Sequence, residues 1–167
     1  IIQPITSSII WDASYDADSE TPTYRRRAEV EGMMDIHNFH SYQAAENLGK
    51  DLEVTLKRLR DISNRPLVCT ECMMRVYGSG VPRSLYAFER EHVHFYLWGM
   101  YNSDANWSVK WSRSTYDPFE PMFHDLLWAD GDMYDPREYE IIKNFHFLSP
   151  GETDPDPGIP VSERWFQ

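Results

Sequence analysis

Residues Arg65–Arg75 read RPLVCTECMMR, and this stretch has the pattern of a buried strand that ends in a carboxylate. A short apolar run follows Pro66, a residue tolerated at the start of a strand, and Glu71 stands at the end of the run. Cys69 and Cys72 flank Glu71. The stretch therefore allows two interpretations, a catalytic glutamate or a CxxC metal or redox motif that contains a glutamate.

The segments on either side of this stretch alternate between strand and helix patterns. Before it, leucines recur at helical spacing in QAAENLGKDLEVTLKRLRDIS, with charged residues between them. After it, VPRSLYAFEREH predicts a short helix, and VHFYLW (Val93–Trp98) predicts a strand. Further strands are predicted at ITSSIIW (Ile5–Trp11) and MMDIHNFHSY, and further helices at TPTYRRRAEVEGMM and DPREYEIIKNF. This alternation indicates βαβ units and a parallel sheet.

Composition limits the classes of partner. The 167 residues suffice for one domain with a sizeable core, and the absence of an initiating Met indicates a piece of a longer polypeptide. The formal net charge of −11 argues against nucleic acid and against an anionic membrane, because either would be repelled. No apolar run approaches the roughly 18 residues that a membrane span needs. A neutral ligand remains compatible with this charge.

The ends of the predicted strands carry the polar and aromatic groups. They read Trp11–Asp12, His40–Ser41–Tyr42, Glu71 and Trp98. In a barrel of parallel strands, functional residues collect at these carboxyl ends. No glycine-rich phosphate loop follows any of the strands, so a nucleotide site has no support. The polar and aromatic groups at the strand ends suit a sugar site. A site built from the ends of several strands favours half of a (β/α)8 barrel over an open doubly wound sheet.

Three motifs in order, DIHNFHSYQ, RPLVCTECMMR and HFYLWGMYN, resemble strands six, seven and eight of a clan A glycoside hydrolase. The likeness is closest to family 5 and its cellulase-like relatives, and it extends over roughly residues 4–146 because FHDLLWADGDMYDPREYEII resembles the last part of such barrels. The resemblance implies that residues 1–147 form the C-terminal four βα units of a (β/α)8 TIM barrel. Residues 148–167, rich in Pro and Asp, are then a tail.

The resemblance also implies an activity, the hydrolysis of a β-linked oligo- or polysaccharide with retention of configuration. Glu71 is then the nucleophile, Tyr42 donates a hydrogen bond that keeps it ionised, and His40 binds a sugar hydroxyl. No metal or cofactor is implied. Four further residues are expected to bind substrate: Trp98 as a flat apolar floor, and also Arg75, Trp107 and Asp12.

One element of the family pattern is absent from this chain. The family's general acid/base lies in an Asn-Glu dipeptide on strand four, and Asn-Glu occurs nowhere in this sequence. We therefore expect an N-terminal half of the barrel, either a separate chain or a missing segment, to supply the acid/base, and the chain alone to be inactive. Polysaccharide-degrading relatives are generally exported, which predicts an extracellular or periplasmic location. The formal glycosylation sequon Asn106–Trp107–Ser108 agrees with export.

Two alternatives from other functional classes remain open. A non-catalytic carbohydrate-binding or scaffold half-barrel would keep the tryptophans and lack the second carboxylate. A metal or redox protein would use Cys69 and Cys72, although a structural zinc site needs a second ligand pair. Two small buried side chains on either side of Glu71 are the interpretation we favour for these cysteines.

Overall fold

A computed structural model of the chain describes residues 3–7, 29–102 and 108–145. These residues contain one parallel sheet of three strands, β1 (His37–Ser41), β2 (Leu67–Cys72) and β3 (His94–Phe95). The strands lie in the order β1-β2-β3, with β2 paired on both sides. Glu71 therefore lies at the carboxyl end of the central strand.

Three helices accompany the sheet, α1 (Leu48–Ile62), α2 (Val81–Arg90) and α3 (Pro136–Asn144). The first two connect consecutive parallel strands, so the predicted strand–helix alternation is confirmed from β1 to β3. The Asp-Pro start predicted for the last helix is also confirmed, because the Asp135 side chain caps α3 by accepting from the Arg137 N–H. Residues 29–33 are helical as well.

The predicted half-barrel of four βα units is wrong. The described residues form one three-stranded sheet with two βαβ connections, far short of four units. The expected strand Val93–Trp98 pairs as a strand only over His94–Phe95. Most of the expected strand Ile5–Trp11 lies outside the described residues, and residues 5–7 are not a strand. Alternating apolar residues define which face of a segment is buried. A strand forms only where a neighbouring strand supplies matching backbone hydrogen-bond partners.

One hydrophobic cluster packs α1 and α2 against the sheet. The four leucines of the predicted amphipathic face are each at most 4% exposed, and they pack with Phe39 and Phe88. Phe88 stacks on Phe95 with ring centroids 5.0 Å apart, which fixes α2 against β3. None of the described helices is both long and apolar enough to cross a bilayer.

An irregularity in the pairing of β1 with β2 sets the side-chain pattern of the CTEC motif. Phe39 pairs with Cys69, but the next pair is His40 with Glu71, so Thr70 is an extra residue on β2. In a regular strand, residues three apart face opposite sides. Because of this bulge, Cys69 and Cys72 both reach the same core cluster and are fully buried.

The interpretation of the two cysteines as small buried side chains is confirmed. Both thiols are free, and burial raises the pKa of Cys69. Cys72 Sγ lies 3.4 Å from the Tyr96 carbonyl oxygen, and Cys69 Sγ lies 3.2 Å from that of Glu71. Within the described ranges, no three His, Cys, Asp or Glu side chains are grouped so as to hold a metal ion.

We predict that neither cysteine reacts with a thiol reagent in the native protein and that both react after denaturation. The reason is that both side chains are fully buried, which keeps the reagent away from the sulfur atoms, and burial also raises the pKa of Cys69. A thiol titration with and without denaturant, combined with elemental analysis for zinc, measures this. Rapid native labelling, or about one zinc per chain, would restore the metal or redox interpretation.

A second buried polar cluster lies at the opposite, amino-terminal end of β1. His37 Nδ1 lies 2.8 Å from Glu31 Oε2, and His37 Nε2 lies 2.6 Å from Ser63 Oγ. The side chains of His37 and Glu31 are fully inaccessible. A catalytic histidine must exchange a proton with a bound substrate, so this burial favours a structural role. The cluster ties residues 29–33 and the end of α1 to the first residue of β1.

Candidate functional site at the carboxyl ends of the strands

Three sequence-predicted site residues meet at the carboxyl ends of β1 and β2. The Tyr42 hydroxyl donates a hydrogen bond of 2.9 Å to Glu71 Oε2. His40 Nδ1 lies 3.1 Å from the same oxygen. The bulge at Thr70 creates this arrangement, because it pairs His40 directly with Glu71. We call His40, Tyr42 and Glu71 the Glu71 cluster.

The charges in the Glu71 cluster are set by burial and by the carboxylate. Burial, with the negative charge of Glu71 and its hydrogen bond, raises the pKa of Tyr42, so its hydroxyl stays protonated and donates. Burial lowers the pKa of His40, and the nearby Glu71 opposes that shift. The Glu71 side chain is 23% exposed and that of His40 is 17% exposed, so the cluster is open to a ligand.

Aromatic side chains form one wall of this site. Tyr42 belongs to a buried cluster with Met74 and Phe123, and the predicted floor residue Trp98 packs against that cluster and is partly buried. The Trp111 ring lies 5.1 Å from the Tyr42 ring and is 54% exposed. The long loop after β3 therefore brings an exposed indole beside the Glu71 cluster.

Arg75, predicted to contact substrate, is buried in a network of its own. Its Nε and Nη2 atoms donate to the carboxylate of Glu138, with a shortest distance of 2.6 Å. Its Nη1 atom donates to three backbone carbonyl oxygens, those of Met122, His124 and Asp125, at 2.9–3.1 Å. These contacts favour a structural role for Arg75, since its donors are directed into the protein.

Two further predicted substrate contacts belong to segments that the structure does not describe. Asp12 and Trp107 are outside the described residues. Trp128, in the same loop region as Trp111, contacts the rings of Tyr116 and Tyr134, at 6.0 and 5.6 Å. The Trp111 ring, in contrast, contacts Tyr42 of the Glu71 cluster.

The sequence reasoning missed His124, a titratable residue beside this site, and Asp125, its buried neighbour in the chain. His124 Nδ1 donates to the Met73 carbonyl at 2.7 Å, and its ring centroid lies 5.4 Å from that of Tyr42. Burial lowers the pKa of His124 to about 4, so the imidazole is neutral near pH 7. Burial raises the pKa of Asp125 to about 6, and neighbouring Arg75 opposes that shift. Adjacent His and Asp residues in an otherwise apolar segment were the available signal.

Asp125→Asn is expected to remove part of the pH dependence of stability. The pKa of Asp125 is raised in the folded state from 3.8 to about 6, so its contribution to stability is present below pH 3.8 and lost as the pH rises through 6. A shift of about two pKa units corresponds to about 3 kcal/mol. Urea unfolding of both proteins at pH values below 3.8 and above 7 measures the difference. Equal pH dependence in the variant and the parent would contradict the assignment.

Comparisons with known proteins leave the family of this chain open. No family model matches it, no curated protein matches it, and no solved structure matches it. The likeness to family 5 glycoside hydrolases therefore rests on the three strand motifs alone.

Proposed function

We propose that this chain carries the nucleophile of a retaining glycoside hydrolase that cleaves β-linked saccharides. The observation that supports this most is the hydrogen bond of 2.9 Å from the Tyr42 hydroxyl to Glu71 Oε2. A nucleophilic carboxylate must be aimed and accessible, and this donor fixes the orientation of the Glu71 carboxylate at the open end of a strand. His40 adds a second contact to the same oxygen at 3.1 Å.

In this proposal, each residue of the cluster has one task. Both protein contacts converge on Glu71 Oε2, and Oε1 attacks the anomeric carbon to form the glycosyl–enzyme ester. The glycosidic bond breaks in the same step, and the leaving oxygen takes a proton from the general acid. Water then cleaves the ester and releases the sugar with its original configuration. Tyr42 and His40 hold the carboxylate in position throughout.

The general acid/base is assigned to a residue outside this chain. Retaining enzymes need a second carboxyl group about 5–5.5 Å from the nucleophile. The Asn-Glu dipeptide that carries it in the resembled family is absent from the sequence. We therefore propose that another polypeptide segment completes the site beside Glu71. An extracellular or periplasmic location would suit a substrate of this kind.

An activated glycoside tests the nucleophile without requiring the general acid. A dinitrophenyl 2-deoxy-2-fluoro-β-glycoside has a leaving group that departs unprotonated, and the fluorine slows hydrolysis of the ester. We expect gluco-, manno- or xylo-configured reagent to add one glycosyl group per chain, which peptide mass spectrometry places on Glu71. Glu120→Gln, at a carboxylate that pairs with Arg113, is the matched control and should label normally. No labelling, or labelling elsewhere, would overturn the proposal.

The second candidate function is non-catalytic carbohydrate binding. The sequence lacks the second carboxylate of the resembled family, while Trp111 remains exposed beside the cluster. Saccharide binding without covalent labelling of Glu71 would favour this function over hydrolysis.

A further inference from the structure

The backbone leaves the sheet at Met73, the first residue after β2, in a conformation that favours glycine. Among the residues that the structure describes, Met73 and His92 are the two non-glycine residues with a positive φ, of 91° and 52°. His92 is exposed and follows the C-terminal cap of α2, where a positive φ is common. Met73 is only 1% exposed. A bulky residue in this conformation is strained, so the contacts around Met73 must hold its backbone in place.

The His124 ring supplies one of these contacts. Its Nδ1–H donates to the Met73 carbonyl oxygen at 2.7 Å, and His124 is fully buried. Burial lowers the pKa of His124 to about 4, so the ring is neutral near pH 7 and its one hydrogen is on Nδ1. The Met73 side chain packs with Val81, Leu85 and Ile141. Met73 is therefore fixed both at its carbonyl group and at its side chain.

The same imidazole ring also contacts the residue that donates to Glu71. The ring centroids of His124 and Tyr42 lie 5.4 Å apart. The Tyr42 hydroxyl donates to Glu71 Oε2, and Met73 follows Glu71 by two residues. His124 thus reaches Glu71 by two routes, through the backbone just beyond Glu71 and through the tyrosine that orients its carboxylate.

We propose that His124 is a positioning residue for Glu71, because it holds the strained Met73 backbone and the Tyr42 ring in one arrangement. The effect on the reaction rests on the proposed function. Without the Nδ1–H donor, the Met73 backbone relaxes toward a negative φ and moves the strand end that carries Glu71. A displacement of about 1 Å in a reacting group can lower a rate about a hundredfold. Backbone strain collects at functional sites, where the surrounding contacts maintain it.

Two substitutions at Met73 test the strain by itself. Met73→Gly and Met73→Ala both remove the buried side chain, but only glycine adopts a φ of 91° without strain. We therefore expect the urea midpoint of Met73→Gly to be higher than that of Met73→Ala. Met122 gives the matched pair, because it is also fully buried and its φ is not positive. There the alanine variant should have the higher midpoint. The same order at Met73 would overturn the proposal.

The rate at which the activated 2-fluoro-glycoside labels Glu71 tests the positioning. His124→Leu removes the donor, so the limiting rate at saturating reagent should fall at least about tenfold, with the half-saturating concentration within about twofold of the parent value. His124→Asn places an amide N–H near the position of Nδ1 and should label within about threefold of the parent rate. His124→Gln reaches the position of Nε2 instead and should label as slowly as His124→Leu. His94→Leu, at an exposed histidine on β3, is the matched control and should label as the parent does.

Carbon-13 NMR of protein labelled at tyrosine Cζ gives a readout that does not depend on the reaction. The Tyr42 resonance, assigned with Tyr42→Phe, should shift in His124→Leu and His124→Gln and return in His124→Asn. Parent-like labelling of Glu71 in a folded His124→Leu or His124→Gln protein would overturn the positioning role and leave the nucleophile standing. An absence of labelling in the parent would overturn the proposed function. In that case, an unchanged Tyr42 resonance in the His124 variants would overturn the positioning role as well, and a shifted one would support it.

Discussion

Glu71→Gln is expected to reduce the release of dinitrophenolate from an activated aryl β-glycoside by at least about three powers of ten. A carboxamide oxygen is a far weaker nucleophile than a carboxylate, and the covalent step depends on that charge. The departure of an activated leaving group needs no general acid, so the rate can be measured on the isolated 167-residue chain. A stopped-flow measurement of the first turnover records the loss directly.

The same substitution should leave the fold intact. Glutamine is nearly isosteric with glutamate, and its amide oxygen can still accept from the Tyr42 hydroxyl. Circular dichroism and the urea midpoint should match those of the parent. Glu120→Gln, the control carboxylate, should keep the parent rate. Near-parent turnover by a folded Glu71→Gln protein would remove Glu71 from the mechanism.

Arg75→Met is expected to lower the free energy of unfolding by about 3–5 kcal/mol, the range found when one partner of a buried ion pair is removed. The Arg75–Glu138 pair is largely inaccessible, with side-chain exposures of 6% and 11%. Loss of the guanidinium leaves the Glu138 carboxylate buried without its cation. It also removes the donor to three carbonyl oxygens of the segment that carries Phe123 and His124. Urea unfolding of the two proteins measures the difference.

Two further variants show whether the buried pair is the cause. Glu138→Leu combined with Arg75→Met should recover part of the lost stability, because the stranded charge is removed together with its partner. Arg137→Met is the matched control, since Arg137 pairs with Asp135 but its side chain is 83% exposed. The control should leave the urea midpoint unchanged. A loss as large in Arg137→Met would show that arginine removal itself, and not the buried pair, destabilises the protein.

The local structure of this protein was predictable because neighbouring residues determine it. The leucine spacing specified α1, the Asp-Pro start specified α3, and the apolar runs located β1 and β2. The resemblance of the strand motifs to family 5 glycoside hydrolases also predicted His40, Tyr42 and Glu71 as site residues. The structure brings these three side chains together. Each of these features depends on the order of residues within one segment.

The extent of the strands, their register and the buried ion pair depended on contacts between distant segments. The sequence pattern predicted a strand over Val93–Trp98, but pairing is decided by the neighbouring strand, and β3 extends only over His94–Phe95. The bulge at Thr70 could not be read from β2 alone, because it exists only relative to β1. Arg75 meets Glu138 across 63 residues, a contact that folding alone creates. The spacing of apolar residues specifies which face of a segment is buried, whereas the tertiary structure decides which residues pack against that face.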